Sequence, residues 1–293
     1  MSSANPSTVA LVTGATRGAG KGIAAGLAGV CKRVYVTGRS QSEATATLKG
    51  EVLRGTLDET VAAINAAGGE GVGIQCDHAD DQSTKAVFER IESESGQLDI
   101  LVNNAASIHD ALIDAGGFWE KPLELADILN VGLRSAYVAS YYAAPIMIRQ
   151  GSGLIVFTSS FGGVCYMHGP AYGAQKAGYD KFAADMAVDL ENTGVAVASL
   201  WLGPQRTERT EIVLRHRGEQ YGDFMALAET PQFNGRVIHA LHRDPKRNEK
   251  SGQTLITAEL ALEYGIQDED GRQPPSYREQ LGAPRVPHPA RVI

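Results

Sequence analysis

The sequence has few cysteines, no long apolar run and no excess of basic residues, and each absence excludes a class of protein. Three widely separated cysteines in 293 residues do not make a disulfide framework, so we expect a reduced, cytoplasmic protein. No apolar run approaches the roughly 18 residues of a membrane span. The formal net charge of −7 argues against a nucleic-acid binder, which needs a basic surface. We therefore expect neither a nucleic-acid partner nor a membrane span.

Short β-branched, apolar runs alternate with helical patterns along most of the chain. Strands are predicted at residues 9–13, 33–38, 72–76, 98–103, 154–159 and 195–201. Helices are predicted at residues 20–32, 57–67, 81–94, 124–149 and 171–192. Nearly continuous apolar strands separated by helices are typical of a parallel sheet covered on both faces. The sequence thus predicts an α/β fold, a Rossmann-type doubly wound parallel sheet in three layers.

Two segments interrupt this alternation. Residues 40–56 form a polar insertion after the second strand, and residues 274–293 hold five of the twelve prolines. Because proline disfavours helix, we expect an extended C-terminal tail, which either packs as an arm through Tyr277 and Leu281 or frays. The expected organisation is one domain over residues 1–273, followed by this tail.

The glycine-rich stretch TGATRGAG follows the first predicted strand and opens the first helix, as a dinucleotide-binding loop must. Gly14 allows a tight turn, Gly18 lets the backbone approach a pyrophosphate, and Gly20 lets the helix pack closely on the sheet. Thr16 and Arg17 lie inside the same loop, and the helix N-terminus supplies the anion site. The spacing G-x-x-x-G-x-G in this position predicts a nucleotide cofactor.

The end of the second strand predicts which nicotinamide cofactor binds. For NAD(H), an acidic residue about twenty residues after the glycine loop holds the ribose hydroxyls. This chain has Gly38-Arg39-Ser40 there. No carboxylate repels a 2′-phosphate, and Arg39 can pair with it bidentately while Arg17 assists. We therefore expect NADP(H) in preference to NAD(H); the alternative is that both arginines are solvated surface groups.

Polar and small residues follow the next two strands, at the edge of the sheet where open α/β folds bind ligands. Asp77 can accept a hydrogen bond from the adenine amine or, as an alternative, cap a helix. In NNAA, Asn104 can bind the loop backbone or a ribose, and Ala105 leaves room for the cofactor. Both segments are expected to belong to the cofactor site.

The stretch AYGAQKAGYDK places Tyr172 and Lys176 four residues apart, on one face of the predicted helix. Hydride reduction of a ketone needs a proton donor for the developing alkoxide, but a free phenol has a pKa near 10. A lysine ammonium one turn away favours the phenolate. A second donor should hold the substrate oxygen. Ser159, thirteen residues before Tyr172, is the first choice for it and Ser160 the alternative.

The stretches TGATRGAG, NNAA, LNVGLRSAY, FTSS and YGAQK resemble the short-chain dehydrogenase/reductase (SDR) family in order and spacing. Gly203 and Thr207, after the sixth strand, continue the match and are expected to contact the cofactor. The resemblance covers about residues 8–260. It implies an oxidoreductase that interconverts a carbonyl compound and an alcohol by hydride transfer.

The family's catalytic tetrad falls on four residues of this chain. The resemblance implies that Tyr172 is the general acid and base and that Ser159 orients the carbonyl. It implies that Lys176 lowers the pKa of Tyr172 and binds the cofactor's ribose, and that Asn130 holds a water in a proton relay. Without the family, the alternative for Asn130 is a structural asparagine at a helix kink.

A narrower resemblance lies near the C-terminus. The stretch SGQTLITAELALEYGIQDEDGRQPPSY resembles the subgroup of dehydrogenase/reductase SDR family member 1, which implies NADPH-dependent reduction of carbonyl compounds. The family also implies a mobile substrate lid over about residues 208–233 and a homo-oligomer, either dimer or tetramer. Two departures from its pattern are Leu202-Gly203-Pro204, where Pro-Gly is usual, and Gln175, where a small residue is usual. Gln175 is expected to point away from the chemistry.

The remaining candidates are histidines and a loop. No metal site is expected, because His239 and His242 have no third ligand close in sequence. His109 and the stretch FGGVCYMHGP are expected to line the substrate cleft, although Phe161 and Met167 are equally candidates for the core. The alternative function is a non-catalytic, NADP(H)-binding regulatory protein, against which an intact tetrad argues.

Overall fold

The described part of the chain, residues 8–44, 46–269 and 271–292 of a computed structural model, folds into alternating strands and helices. The strands are β1 (Val9–Val12), β2 (Arg33–Gly38), β3 (Thr47–Leu48), β4 (Glu51–Val52), β5 (Glu70–Gln75), β6 (Ile100–Asn103), β7 (Gly153–Ser159), β8 (Val195–Trp201) and β9 (Thr254–Ile256). The helices are α1 (Gly18–Ala28), α2 (Leu57–Ala66), α3 (Asp81–Ser95), α4 (Ser135–Gln150), α5 (Pro170–Asp189), α6 (Glu208–Ala226), α7 (Pro231–Arg243), α8 (Thr257–Tyr264) and α9 (Arg278–Leu281).

Seven of these strands form one parallel sheet in the order β5-β2-β1-β6-β7-β8-β9. The chain starts near the middle, runs to one edge through β2 and β5, and returns through β6 to the other edge. The predicted doubly wound Rossmann-type sheet is confirmed. The sequence does not predict β9, because three residues give too short an apolar run.

Two hydrophobic clusters cover the two faces of the sheet. Successive side chains of a strand point to opposite faces, so Ala10 and Val12 of β1 lie in one cluster while Val9 and Leu11 lie in the other. The first cluster packs against α1, α7 and α8, and the second packs against α3, α4 and α5. Since all four β1 side chains are buried, the strand reads as a continuous apolar run in the sequence.

The single helix predicted over residues 124–149 is interrupted. Residues Leu129–Arg134 form a wide helical turn that contains a kink, where Val131 has φ −94° and ψ 91° and Gly132 has φ 150° and ψ −89°. A side chain would strain the backbone at such a positive φ, so the kink requires glycine. The regular helix α4 therefore begins only at Ser135.

The C-terminal tail packs on the domain up to α9. The Tyr277 side chain is buried in a cluster with Phe161, Trp201 and Ile256. Arg278 forms an ion pair with Glu259 of α8. The predicted arm is therefore present over this part of the tail, whereas most residues after 282 are exposed.

The polar insertion is a β3–β4 hairpin that contacts α6. Leu48 and Leu53 pack with Ile212, and Glu51 forms an ion pair with Arg215 at 2.6 Å. Arg217 of α6 pairs with Asp114 at 2.9 Å, and Lys49 of the hairpin pairs with the same carboxylate. The segment predicted as a substrate lid thus contacts the hairpin and the neighbouring Asp114. Among the helices the structure describes, none combines the length and apolar character needed to cross a bilayer.

Candidate active site

The glycine loop lies between β1 and α1 and packs closely on the residues that follow β6. Gly14 and Gly18 have φ of 65° and 59°. A Cβ atom on Gly14 would lie 2.5 Å from the Ala105 Cα, and one on Gly20 would lie 2.5 Å from the Asn104 Nδ2. Gly14 and Gly20 therefore have no room for a Cβ atom, whereas Gly18 requires glycine through its positive φ.

Hydrogen bonds hold this loop in place. The Asn104 side chain donates to the carbonyl oxygens of Thr13 and Gly14 at 2.9 and 3.0 Å. The Thr13 hydroxyl accepts from the backbone N–H groups of Asn104 and Ala105 at 3.0 and 3.1 Å. Of the two roles expected for Asn104, the structure shows the backbone one. Sequence reasoning did not assign this role to Thr13, because it was taken as the last residue of the first predicted strand.

A carboxylate already lies at the anion-binding end of α1. The Gly18 N–H donates to Glu208 Oε2 at 2.9 Å, while Arg17, the residue before the helix, provides no side-chain cap. The first turn of a helix attracts anions because its N–H groups are unpaired and the helix dipole is positive there. The loop therefore fits a pyrophosphate chemically. Glu208 was missed because it is 190 residues away in sequence.

Two guanidinium groups lie at the end of β2. Arg17 donates to the Ser40 hydroxyl at 3.3 Å and to the Gly55 carbonyl at 3.4 Å. Burial lowers the pKa of Arg17, and the positive charge of Arg39 adds to that effect. Arg39 is exposed. Two neighbouring positive charges at this strand end fit a phosphate better than a ribose hydroxyl.

The side chains of Asp77 and Thr207 accept hydrogen bonds from backbone N–H groups a few residues further along the chain. Asp77 Oδ1 accepts from the Ala79 N–H at 3.0 Å, within the loop before α3, whereas the residue that caps α3 is Asp80. The Thr207 hydroxyl accepts from the Thr210 N–H at 3.2 Å and caps α6. The methyl group of Thr207 is 3.8 Å from where a Cβ on Gly18 would lie. Thr207 therefore lies beside the glycine loop.

The backbone of Gly203 contacts the buried carboxyl group of Glu229, which the sequence analysis did not single out. Its N–H donates to Glu229 Oε1 at 3.2 Å, and the side-chain amides of Gln205 and Asn234 donate to the same oxygen at 2.5 and 2.9 Å. Burial raises the pKa of Glu229 to about 7. Glu229 thus fixes the loop after β8, where the proline of the family pattern is displaced.

Tyr172 and Lys176 lie on one face of α5, as predicted. The Lys176 ammonium is 5.3 Å from the centre of the Tyr172 ring and donates to the Thr158 carbonyl at 2.8 Å. The Tyr172 hydroxyl lies 3.0 Å from the Ser160 hydroxyl. The phenol, the ammonium and a serine hydroxyl are therefore brought together at the end of β7.

The serine hydroxyl beside the phenol in the structure is that of Ser160, the alternative, and not that of Ser159, the first choice. Ser159 Oγ donates to the Lys176 carbonyl at 3.2 Å and is buried. Consecutive side chains in extended backbone point to opposite sides, so only one of the two serines can face Tyr172. A thirteen-residue spacing counts chain length but carries no information on that direction.

The pKa values of the pair are set mainly by burial. Burial raises the pKa of Tyr172, although the contact with Ser160 acts in the opposite direction. Burial also lowers the pKa of Lys176 to about 8, which the nearby Asp180 carboxyl partly opposes. A phenolate at Tyr172 therefore needs more positive charge than Lys176 alone supplies.

The tetrad asparagine is less well placed. Asn130 is exposed, and its side chain makes no hydrogen bond within the described chain. The residue of this segment that packs on α5 is Gly132, whose carbonyl accepts from the Tyr179 hydroxyl at 3.0 Å. A Cβ on Gly132 would lie 3.3 Å from the Gln175 Cγ. Gln175, expected to point away, is 0% exposed and packs against this kink.

An apolar cavity of about 130 Å³ lies at the start of α5, where Pro170 and Ala171 line it just before Tyr172. Leu112, Phe118, Leu125, Tyr166 and His168 contribute to its walls. The His168 ring packs edge-on against Tyr172, with 5.1 Å between ring centres.

Not every residue expected in the cleft lies there. Phe161 and Met167 belong to the core cluster around Trp201, and His109 caps a short helical turn through the Ala111 N–H. Among the described residues, no group of three or more His, Cys, Asp or Glu side chains is arranged to hold a metal ion.

The comparisons with known proteins agree with this geometry. The family model for short chain dehydrogenases matches residues 8–217. The chain belongs to this family. It is 37% identical over 281 residues to Dehydrogenase/reductase SDR family member 1 of Mus musculus, covering 92% of this chain and 85% of that protein. The predicted resemblance to that subgroup is confirmed.

A bacterial relative and a solved structure extend the match. The 3-oxoacyl-[acyl-carrier-protein] reductase of Synechocystis sp. is 30% identical over 253 residues, covering 84% of this chain and 94% of that protein. A crystal structure of a short chain dehydrogenase from Mycobacterium thermoresistibile has a TM-score of 0.72 at 24% identity, covering 90% and 89% of the two chains. This short-chain dehydrogenase is an NAD(P)-dependent oxidoreductase with a Rossmann-type fold.

Proposed function

We propose that this short-chain dehydrogenase interconverts a carbonyl compound and an alcohol, with Tyr172 as general acid and base and NADP(H) as cofactor. The observation that carries the proposal is the 3.0 Å contact between the Tyr172 and Ser160 hydroxyls, with Lys176 one turn away and the glycine loop nearby. A proton donor and a hydrogen-bond donor on one carbonyl oxygen are what carbonyl reduction requires.

Each side chain then has a distinct role. When bound, the nicotinamide supplies the hydride for reduction or accepts it in oxidation. Tyr172 gives its proton to the developing alkoxide oxygen, and Ser160 donates a hydrogen bond to the same oxygen. Lys176 binds the cofactor's ribose and adds positive charge beside the phenol. Asn130, in the proton relay, is the member of the tetrad with the least support from its contacts.

The preference for NADP(H) rests on Arg17 and Arg39. A 2′-phosphate can accept charge-assisted hydrogen bonds from both, each worth roughly 1.5–3 kcal/mol. Arg39→Ala should therefore weaken NADPH binding about tenfold to a hundredfold and leave NADH binding nearly unchanged, as isothermal titration calorimetry would show. An equal loss of affinity for NADPH and NADH would mean that Arg39 does not bind the 2′-phosphate.

The remaining cofactor contacts follow the fold. We assign the pyrophosphate to Gly14, Thr16, Gly18 and Gly20, the adenine to Asp77, the riboses to Asn104 and Ala105, and the nicotinamide to Gly203 and Thr207. Residues 208–233 serve as the substrate lid, supported by the contacts of α6 with the β3–β4 hairpin and with Asp114.

The cavity and one helix surface indicate the substrate and the assembly. The apolar cavity at the start of α5, lined by the residues just before Tyr172, suits a carbonyl compound with an apolar body. We place the enzyme in the cytoplasm as a homo-oligomer. Tyr137 and Tyr141 of α4, which are 51% and 64% exposed, support a subunit contact there.

A substrate panel tests the proposal. Aldehydes, ketones and alcohols of increasing apolar size are mixed with NADPH or NADP⁺, and the nicotinamide absorbance is followed. We expect turnover with at least one carbonyl or alcohol and faster rates with NADP(H) than with NAD(H). Tight NADPH binding with no turnover across the panel would contradict an enzymatic function.

A further inference from the structure

Gln175 is a buried carboxamide directly before Lys176 in α5. It is 0% exposed, and neither Oε1 nor Nε2 makes a well-aligned hydrogen bond with a described residue. Its polar neighbour is Tyr179, where contact with the amide partly opposes the rise that burial causes in the pKa of the phenol. A carboxamide has two donor hydrogens and an acceptor oxygen, and leaving them unpaired inside a protein is unfavourable. An aliphatic side chain of similar volume would fill the same space without that cost. Packing alone therefore does not explain an amide at this position.

The kink in Leu129–Arg134 makes room for this amide. A Cβ atom on Gly132 would lie 3.3 Å from Gln175 Cγ and 3.4 Å from Nε2, so a larger residue there would press on the side chain. Gln175 also lies one turn before Tyr179, whose hydroxyl donates to the Gly132 carbonyl at 3.0 Å. The amide, the phenol and the kink carbonyl form one buried polar cluster.

This cluster adjoins the residues that handle the proton. The Lys176 Nζ atom is 5.3 Å from the ring centres of both Tyr172 and Tyr179. The titratable groups around Lys176 are Tyr172, Tyr179, Asp180 and His168. Gln175 differs from all of these because its amide does not titrate, although it can both donate and accept a hydrogen bond.

We propose that Gln175 is a positioning residue of the active site, whose carboxamide at the helix kink orients Lys176 and assists its proton exchange with water. The inference rests on the proposed carbonyl reduction. There the Tyr172 O–H bond breaks as the O–H bond of the alcohol forms, and the phenolate regains a proton from the Lys176 ammonium. The Lys176 amine is then reprotonated by a proton that reaches it from bulk solvent through water, which is the one proton that the reduction consumes, beside an amide that accepts through Oε1 and donates through Nε2.

The test compares two glutamine-to-methionine variants. Gln175→Met keeps most of the volume and removes the hydrogen-bonding groups. Gln150→Met is the matched control, because the Gln150 amide binds the backbone of Leu98 at the far end of α4. Two readouts are taken: kcat against pH with saturating NADPH, and the titration of the Tyr172 phenol by ultraviolet difference spectroscopy. The second subtracts the same protein carrying Tyr172→Phe and needs no turnover.

The two readouts give distinguishable outcomes. In Gln175→Met we expect kcat to fall at least about tenfold and the phenol titration to move up by roughly half a pH unit or more, with NADPH binding kept. Gln150→Met should change neither. Unchanged kcat and an unchanged phenol titration, even with higher thermal stability, would overturn the inference.

Two further situations are decided by the same measurements. If the parent protein turns over no substrate, the proposed function fails, and the phenol titration still decides the role of Gln175. If Gln175→Met does not fold, Gln175→Asn, which keeps the amide but withdraws it by one methylene, replaces it. In Gln175→Asn we again expect kcat to fall and the phenol titration to move up, each by less than in Gln175→Met. If neither changes, the proposed role of Gln175 is refuted.

Discussion

Replacing Glu208 by glutamine should tighten cofactor binding. Glu208 begins α6, and its carboxylate accepts the Gly18 N–H at 2.9 Å, the group that the glycine loop offers to a pyrophosphate. A dinucleotide must displace this carboxylate before its own phosphates can occupy the site. Cofactor binding therefore breaks the charge-assisted hydrogen bond between Gly18 and Glu208 before the new contacts with the cofactor form.

The size of the effect follows from that one contact. A hydrogen bond to a charged group contributes about 1.5–3 kcal/mol, and a negative charge at a helix N-terminus contributes about 0.3–1 kcal/mol. Glu208 is half-buried, and a glutamine in its place can still accept one hydrogen bond from Gly18. We therefore take roughly 1–2 kcal/mol as the interaction free energy with the glycine loop that Glu208→Gln removes. At about 1.4 kcal/mol for each factor of ten, the Kd for NADPH should fall about 5-fold to 30-fold.

Isothermal titration calorimetry with NADPH measures this change directly. The matched control is Glu211→Gln, because Glu211 lies in the same first turn of α6 but makes no hydrogen bond with the glycine loop. It removes the same charge, so a general electrostatic effect on a charged cofactor would appear in both variants. An unchanged or higher Kd in Glu208→Gln, or equal tightening in the control, would refute the competition between Glu208 and the pyrophosphate.

Two further predictions concern the serine and the buried glutamate. Ser160→Ala should lower kcat about 10²-fold to 10³-fold, because it removes a hydrogen-bond donor to the substrate oxygen. Ser159→Ala should lower kcat much less. If steady-state kinetics show the larger loss of kcat in Ser159→Ala, the role belongs to Ser159. Burial raises the pKa of Glu229 from its ordinary value of 4.5 to about 7, so between these two pH values the native state holds a proton that the unfolded chain releases. Its contribution to stability is full below about pH 4.5 and is lost as the pH rises through about 7. Between these two pH values, the free energy of unfolding should fall by about 3 kcal/mol less in Glu229→Gln than in the parent protein. Urea titrations that give the same slope of unfolding free energy against pH for both proteins would contradict this.

Most of the sheet could be predicted from the sequence. Strands such as VAVASLW are buried on both faces, so their apolar pattern is continuous and β-branched. The strand β9 was missed because only three residues pair with β8. The break before α4 was missed because a helical pattern of side chains does not reveal that Gly132 has φ 150°.

The active site was predicted where local spacing sets geometry. Tyr172 and Lys176 share a helix face because four residues make about one turn. Ser160 could not be separated from Ser159, because their directions depend on how β7 ends. Glu208, Glu229 and Gln175 were missed as functional candidates, since each acquires its environment from segments distant in sequence.

The central claim is that Tyr172 transfers the proton in a nicotinamide-dependent reduction. The most direct measurement is the single-turnover rate of NADPH oxidation by an accepted carbonyl substrate in Tyr172→Phe and in the parent protein, with the Kd for NADPH measured for both. We predict that the rate falls about 10²-fold to 10⁴-fold, while the Kd changes less than about twofold. An undiminished rate in Tyr172→Phe would contradict the claim.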